Sequence, residues 1–432
     1  MKYILIIGDG MADNPVPELG DLTPLEYLSE KGEKPAIDLL ASRGILGRVK
    51  NCPDGLPAGS DTAIMSIFGC DPNECYTGRA PLEAAATGIK LNVGDIAYRC
   101  NMVTISDNDA GEILPEPTGF AFENRRMLSH SAGSIDGELS EKLVSDLFAD
   151  PEFQKLASAA GMAVNPAQSF RHIAVQSGVA DGAKGIVLNP PHNFPGSPVG
   201  EILPSGNDNA KTLAGLQKAA YVFLDKHPIN LELRRNGKYP ANCIWFWAEG
   251  TAAALPSFTE QYGKTGGVVS AVPLCHGIAN LIGLEPIFVD GATGELDTNY
   301  EGKVDAGIEV LRSHPFAAIH VEAPDECTHN GDLPGKLESI RRLDKLVVGD
   351  LLEKLGKTEW DFRILILSDH KTLTSTRGHD GTPVPYAIYD SRYTAETTKK
   401  YTETSAEGGE LVPEGTRLMS LLFDDEFVPA NS

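Results

Sequence analysis

The stretch ILILSDHKTLTSTRGHDGTPVPY at residues 364–386 decides how the rest of the sequence is interpreted. Its first four residues are apolar and half of them are β-branched, which predicts a short buried strand rather than a helix. Asp369 and His370 follow at the carboxyl end of that strand, and His379 comes later in the same stretch. Ligands bind at this edge of open α/β sheets, so the pair indicates a metal or catalytic site. A turn cap at Asp369 with solvated histidines fits this stretch equally well.

The composition is that of a globular protein. A chain of 432 residues, 41% hydrophobic and 22% charged, is long enough for two or three domains with a large core. The net charge of -23 argues against binding to nucleic acid or to an anionic membrane surface, because both need clustered cations. A small phosphorylated substrate remains compatible with this charge, since arginines, helix amino termini or metal ions can reverse the field inside one cleft.

The amino terminus and the cysteines indicate a cytoplasmic protein. The apolar run in MKYILIIGDG is too short for a signal sequence, and no stretch approaches the roughly twenty apolar residues of a membrane span. The seven cysteines are odd in number and contain no C-x-x-C pair, which favours reduced thiols and no zinc site of the cysteine type.

Two further groups of polar residues follow predicted strands. Asp9 lies between glycines after a strand at 3–7, and Asp325 and His329 follow a strand at 317–321. Asp325 and His329 are four residues apart, so one helical turn places them on the same face, as for ligands of one metal ion. Carboxylates mixed with imidazoles suit Mn²⁺, Zn²⁺ or Mg²⁺, and the set is large enough for two ions.

Ser60 lies in P-A-G-S-D-T-A, just before apolar residues with helical spacing. The spacing is that of an N-cap serine, a common use of this residue. The alternative is a nucleophile at a helix start, where free backbone N–H groups would stabilise a phosphate placed on it.

The pattern of predicted strands, helices and loops along the chain predicts a discontinuous core domain and an inserted domain. Residues 1–90 and 241–432 alternate strand and helix patterns, which is typical of α/β folds. Residues 91–240 contain strand-like runs, a helix pattern and many glycines and prolines, so we expect an inserted α/β or α+β domain with long binding loops.

Several sequence motifs, taken together, resemble those of the archaeal-type, cofactor-independent phosphoglycerate mutases of the alkaline phosphatase superfamily. They comprise D-G-M at 9–11, P-A-G-S-D-T-A at 57–63, Y-T-G-R-A-P-L-E-A at 76–84, H-V-E-A-P-D-E-C-T-H at 320–329 and S-D-H at 368–370. The resemblance implies an alkaline-phosphatase-like core, with a central, mostly parallel sheet flanked by helices, and an inserted substrate domain. It also implies interconversion of 3-phosphoglycerate and 2-phosphoglycerate without 2,3-bisphosphoglycerate, using two divalent metal ions, Mn²⁺ first and Zn²⁺, Mg²⁺ or Co²⁺ as alternatives.

The resemblance also assigns roles to individual residues. One ion would be held by Asp9, Ser60, Asp369 and His370, and the other by Asp325, His329 and His379. Ser60 would also be the nucleophile that carries the phosphoryl group as a phosphoserine. The candidates for binding substrate phosphate or carboxylate are Arg79, His130, Arg171, His172, Arg235 and Lys303.

Three departures from the family pattern bear on the substrate. The loop at 371–380 differs from the usual Ser-Thr-Pro wording after S-D-H, Ala58 replaces a common glycine, and Ser134 stands where many relatives have a histidine. The alternatives are a related homoserine kinase of threonine biosynthesis, a metal-dependent phosphatase or phosphonate hydrolase, and a catalytically silent binding protein.

Overall fold

The computed structural model describes residues 1–167 and 169–428. These form two compact units, the first made of residues 1–76 with the described residues after 253, and the second of residues 77–253. The described strands are β1 (Lys2–Gly8), β2 (Ile45–Val49), β3 (Ile96–Ile105), β4 (Met127–Ser129), β5 (Met162–Asn165), β6 (Arg171–Gln176), β7 (Cys243–Thr251), β8 (Gly266–Val269), β9 (Glu285–Ile287), β10 (Phe316–Val321), β11 (Phe362–Leu367), β12 (Lys371–Leu373), β13 (Gly378–Asp380), β14 (Val384–Asp390) and β15 (Leu411–Val412).

The helices between these strands account for most of the remaining regular structure. The described α-helices are α1 (Pro24–Glu30), α2 (Pro35–Ser42), α3 (Ser60–Ile67), α4 (Pro72–Cys75), α5 (Arg79–Ala86), α6 (Gly137–Ala149), α7 (Pro151–Ala159), α8 (Val199–Ile202), α9 (Asp208–Leu224), α10 (Pro228–Arg235), α11 (Phe258–Tyr262), α12 (Pro273–Ile282), α13 (Tyr300–Ser313), α14 (Ala323–His329), α15 (Leu333–Arg342), α16 (Asp350–Leu355), α17 (Glu403–Glu407) and α18 (Leu418–Phe423). A π-helical segment, Leu343–Gly349, joins α15 to α16. In the described ranges, no helix combines the length and apolar character needed to cross a bilayer.

The first unit is built on an eight-stranded sheet with the order β15-β2-β14-β11-β1-β10-β8-β9. β1 pairs in parallel with both β10 and β11, and β10 pairs in parallel with β8. All six residues of β11 are buried, as expected for a parallel strand covered on both faces by helices. The predicted α/β core with a mostly parallel central sheet is therefore confirmed.

The strand register of this sheet sets the position of the polar residues. Gly8 at the end of β1 is opposite Val321 at the end of β10, and Ile7 is opposite Leu367 at the end of β11. Parallel strands end at the same edge of a sheet, so the segments after these three strands emerge side by side.

The second unit contains an antiparallel sheet. β3 pairs with β4, β6 and β7, β6 pairs with β5, and all four pairings are antiparallel. All ten residues of β3 are buried, and α6, α7 and α9 contribute to the core packed on this sheet. The sequence placed α5 and β7 in the core domain. The structure corrects this placement, because β7 is hydrogen-bonded along β3 and α5 packs on both strands.

Candidate active site

Three strand ends, one helix start and the β12–β13 hairpin bring seven predicted residues of the first unit into two clusters. Asp9 follows β1, Asp369 and His370 follow β11, and Asp325 and His329 lie on α14, directly after β10. Close approach of the β1 loop depends on Gly10, which has a φ of 62° and where a Cβ would collide with the Asp325 side chain.

The first cluster contains Asp9, Asp369 and His370, all buried, with ligand atoms within 4.8 Å of one another. His370 Nε2 lies 3.2 Å from Asp369 Oδ2 and 3.7 Å from Asp9 Oδ1. Ser60 Oγ lies 3.3 Å from Asp9 Oδ2 and 3.2 Å from His370 Nε2. Its single proton can satisfy only one of these acceptors. The arrangement therefore directs several lone pairs at one another, as the ligands of a cation do.

The position of Ser60 excludes the capping role that its spacing allowed. Ser60 is the first residue of α3, the N-cap is Gly59, and no side chain caps this helix. Neighbouring Asp61 fixes the helix start, since Oδ1 accepts a hydrogen bond from Thr62 N and Oδ2 accepts one from Tyr76 Oη. The hydroxyl of Ser60 is thus directed to the cluster instead of the helix backbone.

The second cluster contains Asp325, His329 and His379, again with ligand atoms within 4.8 Å of one another. The two imidazole Nε2 atoms are 2.8 Å apart, at 3.2 Å and 3.4 Å from the Asp325 carboxylate oxygens. The carbonyl of Arg377 accepts from His329 Nδ1 at 2.7 Å, and that of Ala58 accepts from His379 Nδ1 at 3.3 Å. These bonds leave the Nε2 lone pairs facing each other, which is how metal-ligating histidines are held.

Burial and charge in the first cluster also favour a bound cation. Burial, with the charges of Asp369 and Asp325, raises the pKa of Asp9 well above its ordinary value. Asp9 Oδ1 and Asp369 Oδ2 are buried without a hydrogen-bond partner among the described residues. Unpaired buried carboxylate oxygens are costly unless a positive charge faces them, so the residues fit a divalent metal ion.

His320 is a member of the site that sequence reasoning missed. Its Nε2 donates to Asp9 Oδ2 at 2.9 Å, and its Nδ1 accepts from Ser270 Oγ at 3.0 Å. Burial, with the nearby charge of Lys303, lowers the pKa of His320 to about 3, so the imidazole is neutral. It lies inside the apolar strand β10, and the signals for it were its polarity among buried residues and its place at the start of the motif at 320–329.

A second charged cluster lies within the second unit. The guanidinium groups of Arg79, Arg99 and Arg171 surround one carboxylate, Glu83, which accepts from Arg99 Nε at 2.9 Å and from Arg79 Nε at 3.4 Å. Arg99 and Arg171 lie over the Trp247 ring at 4.6 Å and 5.4 Å. Burial, with the charge of Arg99, lowers the pKa of Arg171 to about 10, and its buried Nε has no partner among the described residues. Positive charge therefore exceeds negative charge here.

Two imidazoles adjoin this arginine cluster. His192 packs edge-on against Trp247 at a centroid distance of 5.1 Å, and His130 packs against His192 at 6.0 Å. Both histidines are exposed. The structure thus places the candidates His130, Arg79 and Arg171 in one region of the second unit, with Arg99 and His192, which the sequence did not single out.

The other three candidates have different surroundings. His172 is fully buried, with Nε2 bonded to Ser140 Oγ at 3.1 Å and Nδ1 accepting from Ala167 N at 3.0 Å, so we correct its assignment to a structural role. Lys303 is buried and donates to the carbonyl of His320 at 3.1 Å. Arg235 is exposed and pairs with Glu116 at 3.3 Å. Substrate binding by Lys303 and Arg235 stays a prediction.

Comparisons with known proteins identify the family of this chain. A model of the 2,3-bisphosphoglycerate-independent phosphoglycerate mutase family matches residues 41–230. A mutase of that name from Methanosarcina acetivorans is 42% identical over 389 residues, covering 90% of each chain. One from Methanothrix thermoacetophila is 39% identical over 423 residues, covering 98% of this chain and 99% of the relative.

Two solved structures are similar over nearly the whole chain. A Pyrococcus horikoshii protein matches with a TM-score of 0.76 and 28% identity, covering 99% of both chains. The cofactor-independent phosphoglycerate mutase from Thermoplasma acidophilum matches with a TM-score of 0.59 and 25% identity, covering 98% of this chain and 99% of the other. The family match and the identity to these relatives over nearly the whole chain show that it belongs to the family of 2,3-bisphosphoglycerate-independent phosphoglycerate mutases.

Proposed function

We propose that this enzyme interconverts 3-phosphoglycerate and 2-phosphoglycerate through a phosphoserine on Ser60, with two divalent metal ions bound by the two clusters. The names of its relatives support the substrate and the reaction. The observation that carries the chemistry is the Ser60 hydroxyl, which points away from its own helix and lies within 3.3 Å of Asp9 and His370.

The ligand sets follow from the clusters. Asp9, Asp369 and His370, with Ser60, would hold one ion, and Asp325, His329 and His379 the other. Bound divalent cations supply Lewis acidity that lowers the pKa of a serine hydroxyl and offsets the charge of phosphoryl oxygens. Oxygen and imidazole ligands are compatible with Mn²⁺, our first choice, and with Zn²⁺, Mg²⁺ or Co²⁺.

Ser60 acts as the nucleophile and is restored in each turnover. Its Oγ loses its proton and forms a bond to phosphorus while the bond from phosphorus to the 3-oxygen of the substrate breaks, and the released 3-oxygen takes up a proton to become the 3-hydroxyl. The 2-hydroxyl of the same glycerate then loses its proton and forms a bond to phosphorus while the bond from phosphorus to Ser60 Oγ breaks, and Oγ takes up a proton to restore the serine hydroxyl. Ser60 is the first residue of α3, so a phosphoryl group on its Oγ would lie at the amino terminus of this helix, where the backbone dipole favours negative charge.

The arginine cluster of the second unit is our candidate for binding the substrate anion. Arg79, Arg99 and Arg171 carry three positive charges against the single charge of Glu83, and the excess matches a phosphate or carboxylate group. His130 and His192 offer further donors at the same place.

The free thiols of the chain fit a reducing compartment, which supports the proposed cytoplasmic location.

The proposal is tested by incubating the purified enzyme with 3-phosphoglycerate and Mn²⁺ and following the products by phosphorus NMR. We expect 2-phosphoglycerate to form without added 2,3-bisphosphoglycerate, and an acid quench during turnover to leave phosphate on Ser60. Release of inorganic phosphate in its place would identify a phosphatase, and phosphorylation of homoserine by a nucleotide would identify a kinase. Either result would overturn the mutase assignment.

A further inference from the structure

Thr372 is a buried residue that touches both clusters and belongs to neither. It lies in β12, and its side chain is completely shielded from solvent. Its Oγ1 is 2.5 Å from Asp325 Oδ1 in the second cluster and 3.3 Å from His370 Nδ1 in the first. One hydroxyl therefore bridges the two candidate metal sites.

The number of protons available at this bridge fixes the direction of both hydrogen bonds. A threonine hydroxyl has one proton, and an ionised carboxylate can only accept, so Thr372 donates to Asp325. The contact with His370 must then run the other way, with Nδ1–H donating to the Thr372 oxygen. A neutral His370 in this tautomer has no proton on Nε2, the atom that faces Ser60 and Asp369.

The backbone of Thr372 is held on both sides, which makes its hydroxyl a rigid support. Its N–H donates to the carbonyl of Ala12 at 3.2 Å, and its carbonyl accepts from the buried Lys336 Nζ at 2.6 Å. Its partner across the β12–β13 hairpin is His379, a member of the second cluster. Precise ligand geometry of this kind needs support from well-fixed neighbours.

We propose that Thr372 is a positioning residue that orients Asp325 in one metal site and selects the metal-binding tautomer of His370 in the other, a role that rests on the two metal sites proposed above. Loss of the hydroxyl weakens binding at both sites, because Asp325 loses a charge-assisted hydrogen bond and His370 loses the acceptor that fixes its ring. Partners of metal ligands typically change affinity by roughly tenfold to a hundredfold.

The test is a titration of metal-free protein with Mn²⁺. Calorimetry measures the affinity of binding, and electron paramagnetic resonance measures the concentration of free Mn²⁺. Thr372→Val keeps the shape of the side chain and removes the hydroxyl, so we expect both sites to weaken by roughly tenfold or more. Thr372→Ser keeps the hydroxyl and should bind within about threefold of wild type. Thr372→Ala provides a second variant without the hydroxyl, for which the same weakening at both sites is expected.

A matched control separates this role from simple anchoring of the hairpin. Thr374, in the turn of the same hairpin, donates to Asp13 Oδ2 at 2.6 Å and forms no hydrogen bond with either cluster in the described part of the chain, so Thr374→Val should weaken Mn²⁺ binding much less than Thr372→Val. Wild-type affinity in both hydroxyl-free variants, weakening at only one site, or equal weakening in Thr372→Ser would overturn the inference. If wild-type protein binds no Mn²⁺, the metal proposal itself fails.

Discussion

Replacing His172 by glutamine should remove a defined part of the acid sensitivity of the second unit. In the folded chain His172 Nδ1 accepts from Ala167 N, and its Nε2 therefore carries the ring proton beside Ser140 Oγ. A second proton on Nδ1 would displace the Ala167 hydrogen bond and place a charge in a fully buried site. Burial accordingly lowers the pKa of His172 to about 4.

The size and sign of the effect follow from the two protonation states. An unfolded histidine takes up its proton near pH 6.5, so between pH 6.5 and 4 the unfolded chain binds more protons than the folded chain and acid favours unfolding. For a folded pKa of about 4, the loss in free energy of unfolding relative to pH 8 is about 1.4 kcal/mol at pH 5.5 and about 2.6 kcal/mol at pH 4.5. Glutamine cannot titrate, so His172→Gln lacks this loss.

The assay is urea unfolding at several pH values, followed by tryptophan fluorescence. Trp245 and Trp247 lie in the second unit and Trp360 in the first, so a Trp360→Phe background makes the signal specific for the second unit. Any constant cost of the substitution cancels in the comparison of the two pH profiles. If wild type and His172→Gln lose the same free energy between pH 8 and 4.5, the buried, neutral imidazole is refuted.

Three further predictions concern activity. Ser60→Ala should lower turnover by at least about a thousandfold while metal content measured by mass spectrometry stays nearly intact, and higher residual activity would contradict the nucleophilic role. Excess chelator should silence the enzyme and Mn²⁺ should restore it, whereas full activity in chelator would remove the metal hypothesis. Arg171→Gln should raise KM for 3-phosphoglycerate by roughly tenfold to a hundredfold in steady-state kinetics, because a charged hydrogen bond to the substrate is lost. Lys142→Gln, which removes an exposed partner of Asp146 in the same unit, is its control, and equal KM values in the two variants would contradict substrate binding by Arg171.

Local patterns in the sequence were sufficient for many elements of the core. The strand predicted at 364–367 forms the last four residues of β11, and α1 begins at a capping box of Thr23 and Glu26, which are three residues apart. These elements depend on side-chain spacing and on hydrogen bonds between near neighbours, which a short stretch of chain already contains. The extent of the second unit was less accessible, because the pairing of β7 with β3 joins residues far apart in the chain.

The sequence by itself also determined that Asp9, Asp325 and Asp369 each follow a buried strand. Only the tertiary structure decided that these strand ends adjoin, since the order β11-β1-β10 arises from long-range pairing. The same limit explains why the sequence could not distinguish Arg171 from His172. The two residues are neighbours in sequence, and both were candidates for substrate binding. Successive residues of a strand point to opposite faces, so β6 directs Arg171 toward the arginine cluster and buries His172 against α6.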